Sequence, residues 1–327
     1  MSTQPTSSFN NSAPNGTTSA MSASTISLIS GTLLFLTSAF GLVVNTLYLW
    51  VLWFRMVRNV NTTLFAHLIL ANLMVTFVFP FAAVYLIKDQ NWILGLSLCK
   101  LINSLLSVGM YESVFLLTLI SLDRYCLVFH PHGYKKYMNP RCASIICLLL
   151  WVLAFGLSTP YFIFRQVRYE DNVTICYNDY TLSGKWDEKK MKWVWFTIRL
   201  FFSFVMPFSI ITICYVKIFI KMKRENLSRS GRPYRIIFIA IVSFFICWTP
   251  YHIWYGMSAE KDKFHPSILR SLQALSAGLA CINSCFTPVL YLFIVESFKN
   301  MFRKSILAII ELVVNETFTS TNHLGGY

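Results

Sequence analysis

Charge is scarce in this chain. Of 327 residues only 13% are Asp, Glu, Lys or Arg, while 55% are hydrophobic, and a soluble globular domain carries roughly twice that share of charge. A water-soluble protein is therefore excluded. Metal-ligand spacing is missing as well. His67, His130, His132, His252, His265 and His323 are scattered, and no nucleophile, base or metal set stands out, which argues against an enzyme and against a cofactor. No repeat relates the two halves, so the internal symmetry of many transporters is absent. Residues 1–25 carry no charge and no apolar core. A cleavable leader is not expected there, and the first apolar run is expected to serve as its own insertion signal. Acidic groups number 14 against 28 basic ones, but the basic residues flank apolar runs. Membrane topology and anionic inner-leaflet lipid account for them, and nucleic acid is not expected as a partner.

What the chain has is long apolar runs, each near or above the roughly 20 residues that a spanning helix needs. They fall near Ile26–Phe54, Thr62–Ile87, Leu98–Phe129, Ala143–Phe164, Trp193–Ile220, Ile236–Met257 and Ser267–Val295. The expected fold is an all-α membrane protein, a bundle of seven transmembrane helices. Arg55 and Arg58 follow the first run, Lys135, Lys136 and Arg141 lie between the third and fourth, and a basic segment from Lys217 to Arg235 lies between the fifth and sixth. By the positive-inside rule the N-terminus is expected outside and the C-terminus in the cytoplasm. The polar tail supports this with sequons at Asn10 and Asn15, and a third at Asn172 follows the fourth run on the outer side. Of nine cysteines only Cys99 and Cys176 fall at or beyond the outer helix ends, so they are the economical disulfide pair. The other seven read as small apolar packing residues.

Motifs then separate the seven-helix classes. The third run ends in Ser121-Leu122-Asp123-Arg124-Tyr125, the sixth holds Cys247-Trp248-Thr249-Pro250, and the seventh holds Asn283-Ser284-Cys285-Phe286-Thr287-Pro288-Val289-Leu290-Tyr291. With Asn45, Trp151, Pro207, Tyr215 and the Cys99/Cys176 pair, the chain resembles the rhodopsin-like G-protein-coupled receptors from Ile26 to about Leu312. Pro250 and Pro288 each remove a mid-membrane backbone hydrogen bond, which creates bend points; packing alone is the plainer reading of both. Trp248, two residues before the first bend, would couple a ligand above it to a swing below. The resemblance implies that Asp123 restrains Arg124 at rest, and that Arg124 later turns toward Tyr215 and a heterotrimeric G protein. It also implies arrestin as a partner. After the seventh run, residues 296–312 alternate apolar and basic groups and read as an amphipathic helix on the inner leaflet. The expected layout is a glycosylated outer tail at 1–25, the bundle at 26–295, that surface helix at 296–312 and a cytoplasmic tail at 313–327. No Cys follows Cys285 in the sequence, so the palmitoyl anchor that the resemblance would imply is not expected.

Two further absences narrow the ligand. Leu106 stands where amine receptors of this family have an aspartate, and Cys281 where opsins have the retinal lysine. LYLWVL, NWILGLSLCK, SLDRYCLVFHP, FFICWTPYH and NSCFTPVLYLF resemble the chemoattractant branch that includes the formyl-peptide receptors. That resemblance implies an extracellular peptide or lipid ligand and an inhibitory-class G protein; the alternative is a scavenger that binds ligand with little or no signalling. Arg199 matches a basic residue of the peptide pocket in that branch. It either lines a pocket with Leu106, Met110, Trp248 and Tyr251 or snorkels to the outer surface, and the sequence leaves both open. Asn72 occupies the position where the family usually has a sodium-binding aspartate. It is expected to line a hydrated polar cavity with Asn45, Ser113, Asn283, Ser284 and Thr287, and sodium is expected to bind poorly to an amide.

Overall fold

In the computed structural model, residues 16–170, 172–182, 184, 187–225, 232–292, 303 and 307 are described. Helix α1 (Gly16–Trp50) continues through a π-helical turn, Val51–Arg55; α2 is Val60–Ile87 and α3 Gly95–Phe129. A short α4 (Pro131–Tyr137) precedes α5 (Pro140–Phe164), and a hairpin of β1 (Arg165–Glu170) and β2 (Val173–Asn178) follows. The fifth crossing is composite: α6 (Glu188–Leu200), a π-helical turn at Phe201–Val205, and α7 (Met206–Arg224). Then come α8 (Arg232–Ala259), a 3₁₀ turn at Lys261–Lys263 and α9 (Pro266–Leu292).

Six of these rods are long and apolar enough to cross a membrane, and α9, with 27 residues, is the seventh. The helices end where local chemistry stops them. Asn59 caps α2 by accepting from the Thr62 amide while the Thr62 hydroxyl accepts from the Asn59 N–H. Asn139 accepts from the Cys142 amide with Pro140 at the first helical position of α5. The core lies between the rods: α3 packs on α2, α5 and α7, and α1 on α2 and α9. Outward faces carry exposed Leu33, Leu36, Phe40, Val152, Phe219 and Ile246, which suits lipid and would be a liability in water. The α2–α3 seam closes at Gly109, where a Cβ would come 2.5 Å from Val75 Cγ2 and 3.1 Å from the Ala71 carbonyl oxygen.

The structure departs from the sequence reading in three places. Helix α1 begins at Gly16 rather than near Ile26, so part of the expected tail is helical. No proline or charge interrupts residues 16–25, and extending an established helix outward is cheaper than nucleating one. The segment after α3 forms α4, and the loop after α5 forms the antiparallel hairpin, with Val167 paired to Cys176; neither is foreseen in the sequence. Asn10, Asn15, most of the 296–312 segment and the 313–327 tail lie outside the described residues; Arg303 and Leu307 are helical and exposed.

Candidate functional site

The hairpin is fastened over the outer mouth of the bundle. Cys99, near the start of α3, is disulfide-bonded to Cys176 of β2 with Cα atoms 5.9 Å apart. The Trp92 N–H donates to the Thr174 carbonyl at 2.8 Å, and Asn91 Oδ1 accepts from the Thr174 N–H at 2.9 Å. Asn172 sits in the turn with φ 64° and is exposed; its Oδ1 accepts from the Tyr169 hydroxyl.

Beneath this roof Arg199, from the last turn of α6, is 3% exposed. Snorkelling is thereby excluded: the guanidinium points into the bundle. Its carbon lies 4.9 Å from the ring centre of Tyr251, 5.1 Å from Tyr161, 5.2 Å from Tyr255 and 5.9 Å from Tyr111. One nitrogen donates to the Tyr161 hydroxyl, and another lies 3.5 Å from Met110 Sδ. Among the described residues Nε has no hydrogen-bond partner and no carboxylate forms an ion pair with Arg199. Four phenol faces ease the burial of a cation without neutralising it. A narrow crevice opens beside Arg199, walled by Tyr111, Tyr161, Asn178, Tyr180 and Tyr255. Tyr251 stacks edge-on against Trp248 at 5.6 Å, and Trp248 is buried two residues before Pro250 in α8. Leu106 is half-buried and packs at the rim of the same core.

Midway down, Asn72, Ser113, Asn45, Asn283, Ser284 and Thr287 are all buried. The Ser113 hydroxyl donates to Asn72 Oδ1 at 3.5 Å, while Asn72 Nδ2 has no partner among the described residues. Asn45 Nδ2 donates to the Ser284 carbonyl at 3.2 Å and so links α1 to α9. The Thr287 hydroxyl is spent on the Asn283 carbonyl of its own helix. Asn72 is thus brought to Ser113, and Asn45 to Ser284.

At the inner end Asp123 lies 3.6 Å from Arg124 Nε and accepts a hydrogen bond from the Tyr134 hydroxyl of α4. Arg124 donates to Asn61 Oδ1 of α2. Burial and the bond to Asp123 push the Tyr134 phenol above its ordinary range. Tyr125 stacks on Phe129 at 4.6 Å, and Lys221 donates to the Val128 carbonyl at 2.7 Å, which ties α7 to the end of α3. Tyr215 is buried on α7. Pro288 and Tyr291 fall within α9.

Residues 44–291 match the sequence profile described as "7 transmembrane receptor (rhodopsin family)". The chain belongs to that family. Its relatives include "Probable G-protein coupled receptor 33" of Homo sapiens, 41% identical over 86% of this chain and 87% of that one. "Chemerin-like receptor 1" of Bos taurus is 34% identical over 86% and 80%. The "C3a anaphylatoxin chemotactic receptor" of Oncorhynchus mykiss is 34% identical over 85% and 77%. This chain is therefore a multi-pass receptor of the chemoattractant type, and not an enzyme. Its family implies an extracellular ligand and a heterotrimeric G protein.

Three residues of the receptor that bear on these sites escaped the sequence reading. Arg165 opens β1 with its guanidinium 5.4 Å from the Tyr161 ring, so two cations flank one tyrosine. Only the hairpin, which periodicity did not reveal, puts it there. Tyr134 reaches Asp123 because α4 folds back under α3. Glu112, fully buried in α3, was legible: it is the single acidic residue in the interior of any apolar run apart from Asp123.

Proposed function

We propose that the receptor sits in the plasma membrane with its N-terminus outside, and binds a peptide or lipid mediator carrying a carboxylate that Arg199 grips under the hairpin. One observation carries this reading: a guanidinium buried in the outer half of the bundle with no counter-charge among the described residues. A planar guanidinium can hold a carboxylate through two parallel hydrogen bonds, which a lysine reproduces only as a point charge. Tyr251 connects Arg199 to Trp248 and the Pro250 bend, the route by which an arriving anion would move α8. Arg124, held by Asp123 and Asn61, would then be freed toward an inhibitory-class G protein and, after activation, arrestin.

The test is a screen of peptides and lipid mediators, each in free-carboxylate and carboxamide form, on cells expressing the receptor or its Arg199→Ala variant, read by nucleotide exchange. A matching carboxylate should lose tenfold or more in potency on the variant, about 1.4 kcal/mol, while its carboxamide should be weak on both. Additive losses from the two changes would show that Arg199 and the carboxylate never meet. A second reading, a scavenger that binds without signalling, is favoured by the amide at Asn72 and by Thr287, whose hydroxyl is turned to its own helix. Ligand uptake with no nucleotide exchange, and no loss of exchange on Arg124→Ala, would select it.

A further inference from the structure

Glu112 is the eighteenth of the 35 residues of α3, so about 25 Å of helix separates it from either end at 1.5 Å per residue. It lies at the middle of the span. It is 0% exposed, and among the described residues neither Oε1 nor Oε2 has a hydrogen-bond partner. None of the ion pairs among the described residues includes it. An ionised carboxylate fully buried with no counter-charge and no protein donor is too costly to keep at that depth, and such a group resolves the cost by holding a proton.

The surroundings offer no alternative. On α5, Cys147 is in electrostatic contact with Glu112, and the buried Ser158 hydroxyl donates to Ser107 rather than to Glu112. On α2, His67 has its Nδ1 occupied by the Trp151 indole. On the fifth crossing Arg199 is engaged by Tyr161 and Met110, and from α8 His252 lies 3.4 Å from the Ser203 hydroxyl. Met110 and Tyr111, the two residues before Glu112, both touch Arg199. Rearrangement of the tyrosine cage therefore bears directly on the turn that carries Glu112.

We propose that Glu112 is a proton-binding site of the receptor, loaded in the arrangement described here, whose proton holds α3 packed against α5 and leaves when that packing opens to water. The sign follows from linkage. The closed form binds one proton more than an open or unfolded form in which the carboxyl is hydrated and ionised. Raising the pH therefore favours opening, by up to tenfold in the equilibrium constant per pH unit over the range where only the open form has lost the proton. The site does not depend on which ligand Arg199 accepts.

The experiment uses the full-length receptor in lipid nanodiscs without ligand. Infrared spectra at neutral pH should show the carbonyl stretch of a protonated carboxylic acid, and Glu112→Gln should remove it. The thermal unfolding midpoint should fall from mildly acidic to mildly alkaline pH in the unmodified receptor. In Glu112→Gln it should be higher at neutral pH and flatter. His67→Gln, which removes a second group able to titrate in that range, should keep the slope. Absence of the acid band, or a slope retained in Glu112→Gln and lost in His67→Gln, overturns the proposal. Should Glu112→Gln fail to accumulate, Glu112→Asp keeps a carboxyl in a changed position and must shift the band; an unshifted band belongs to another acid and overturns it equally.

Discussion

Replacing Arg199 by methionine should cost the ligand-free receptor almost nothing. The guanidinium makes four ring contacts between 4.9 and 5.9 Å, each worth about 0.5–1 kcal/mol, and a charge-assisted bond to Tyr161 worth about 1.5–3 kcal/mol. Together these supply about 4–7 kcal/mol. Against them stands the effective penalty of burying an uncompensated cation, several kcal/mol, taken as about 5. The two sides nearly cancel, and methionine keeps the length and most of the apolar contact, so the net change should lie within about 2 kcal/mol of zero. Thermal unfolding of the purified receptor in detergent, with surface expression alongside, measures it. Unchanged stability with loss of the carboxylate response would mark Arg199 as a group kept for its ligand. Loss of more than about 4 kcal/mol would refute the reasoning: Arg199 would then be a structural pin, and its missing counter-ion would say nothing about a ligand.

Other consequences are equally measurable. Cys99→Ala should reduce surface expression sharply, because the disulfide closes a loop with a sequence separation of 77, worth about 4–5 kcal/mol in the chain-entropy treatment; free thiols at both positions in mature receptor would contradict this. Exchanging sodium for a large organic cation at fixed ionic strength should leave thermal stability unchanged, whereas Asn72→Asp should create a sodium response, since only a carboxylate there adds charge beside Ser113. Glu260 is held down to about 2 by hydrogen bonds from Lys189, Trp193 and Lys263, which tie the start of α6 to the outer end of α8. A depressed carboxyl keeps this tie above its unfolded value near 4 and loses it as pH falls toward about 2. Protection of the amides at the start of α6, taken relative to the intrinsic exchange rate at each pH, should therefore be the same at pH 5 and pH 7, and lower in Glu260→Gln.

The seven crossings were readable because hydropathy in a bilayer is a one-dimensional signal: a run either is or is not long enough. The runs ending at Ile87, Phe129 and Phe164 stop where α2, α3 and α5 stop. What depended on distant partners was not readable. Arg199 alone could face lipid headgroups or the core; the decision rests with Tyr111, Tyr161, Tyr251 and Tyr255, contributed by three other helices. The hairpin was hidden because RQVRYE and VTICYN are short, mixed in polarity and joined by a turn at Asn172 rather than by an obvious glycine turn. Glu112 was readable from its place alone, since an acidic residue in the interior of an apolar run is costly whatever its neighbours.

The wide turn at Phe201–Val205 sets the phase of the fifth crossing. Its Met206 N–H reaches back to the Phe201 carbonyl, five residues away. From Arg199 to the buried Pro207, eight residues of unbroken α-helix would turn about 800°, leaving the two side chains some 80° apart around the axis. A π turn absorbs one extra residue. The effective rotation drops to about 700°, and Arg199 comes within roughly 20° of the face that Pro207 buries. Were the same residues to relax to an ordinary α-helix with none removed, the rotation would return to about 800° and everything above the turn would swing by about 100°, carrying the guanidinium from the tyrosines toward lipid; deleting a single residue from 201–205 instead leaves seven residues at about 100° each, the same 700°, and keeps the aim. The charge at the heart of the site is thus aimed by the width of one backbone turn, and the fifth crossing carries its extra residue without losing the face on which Arg199 and Pro207 both lie.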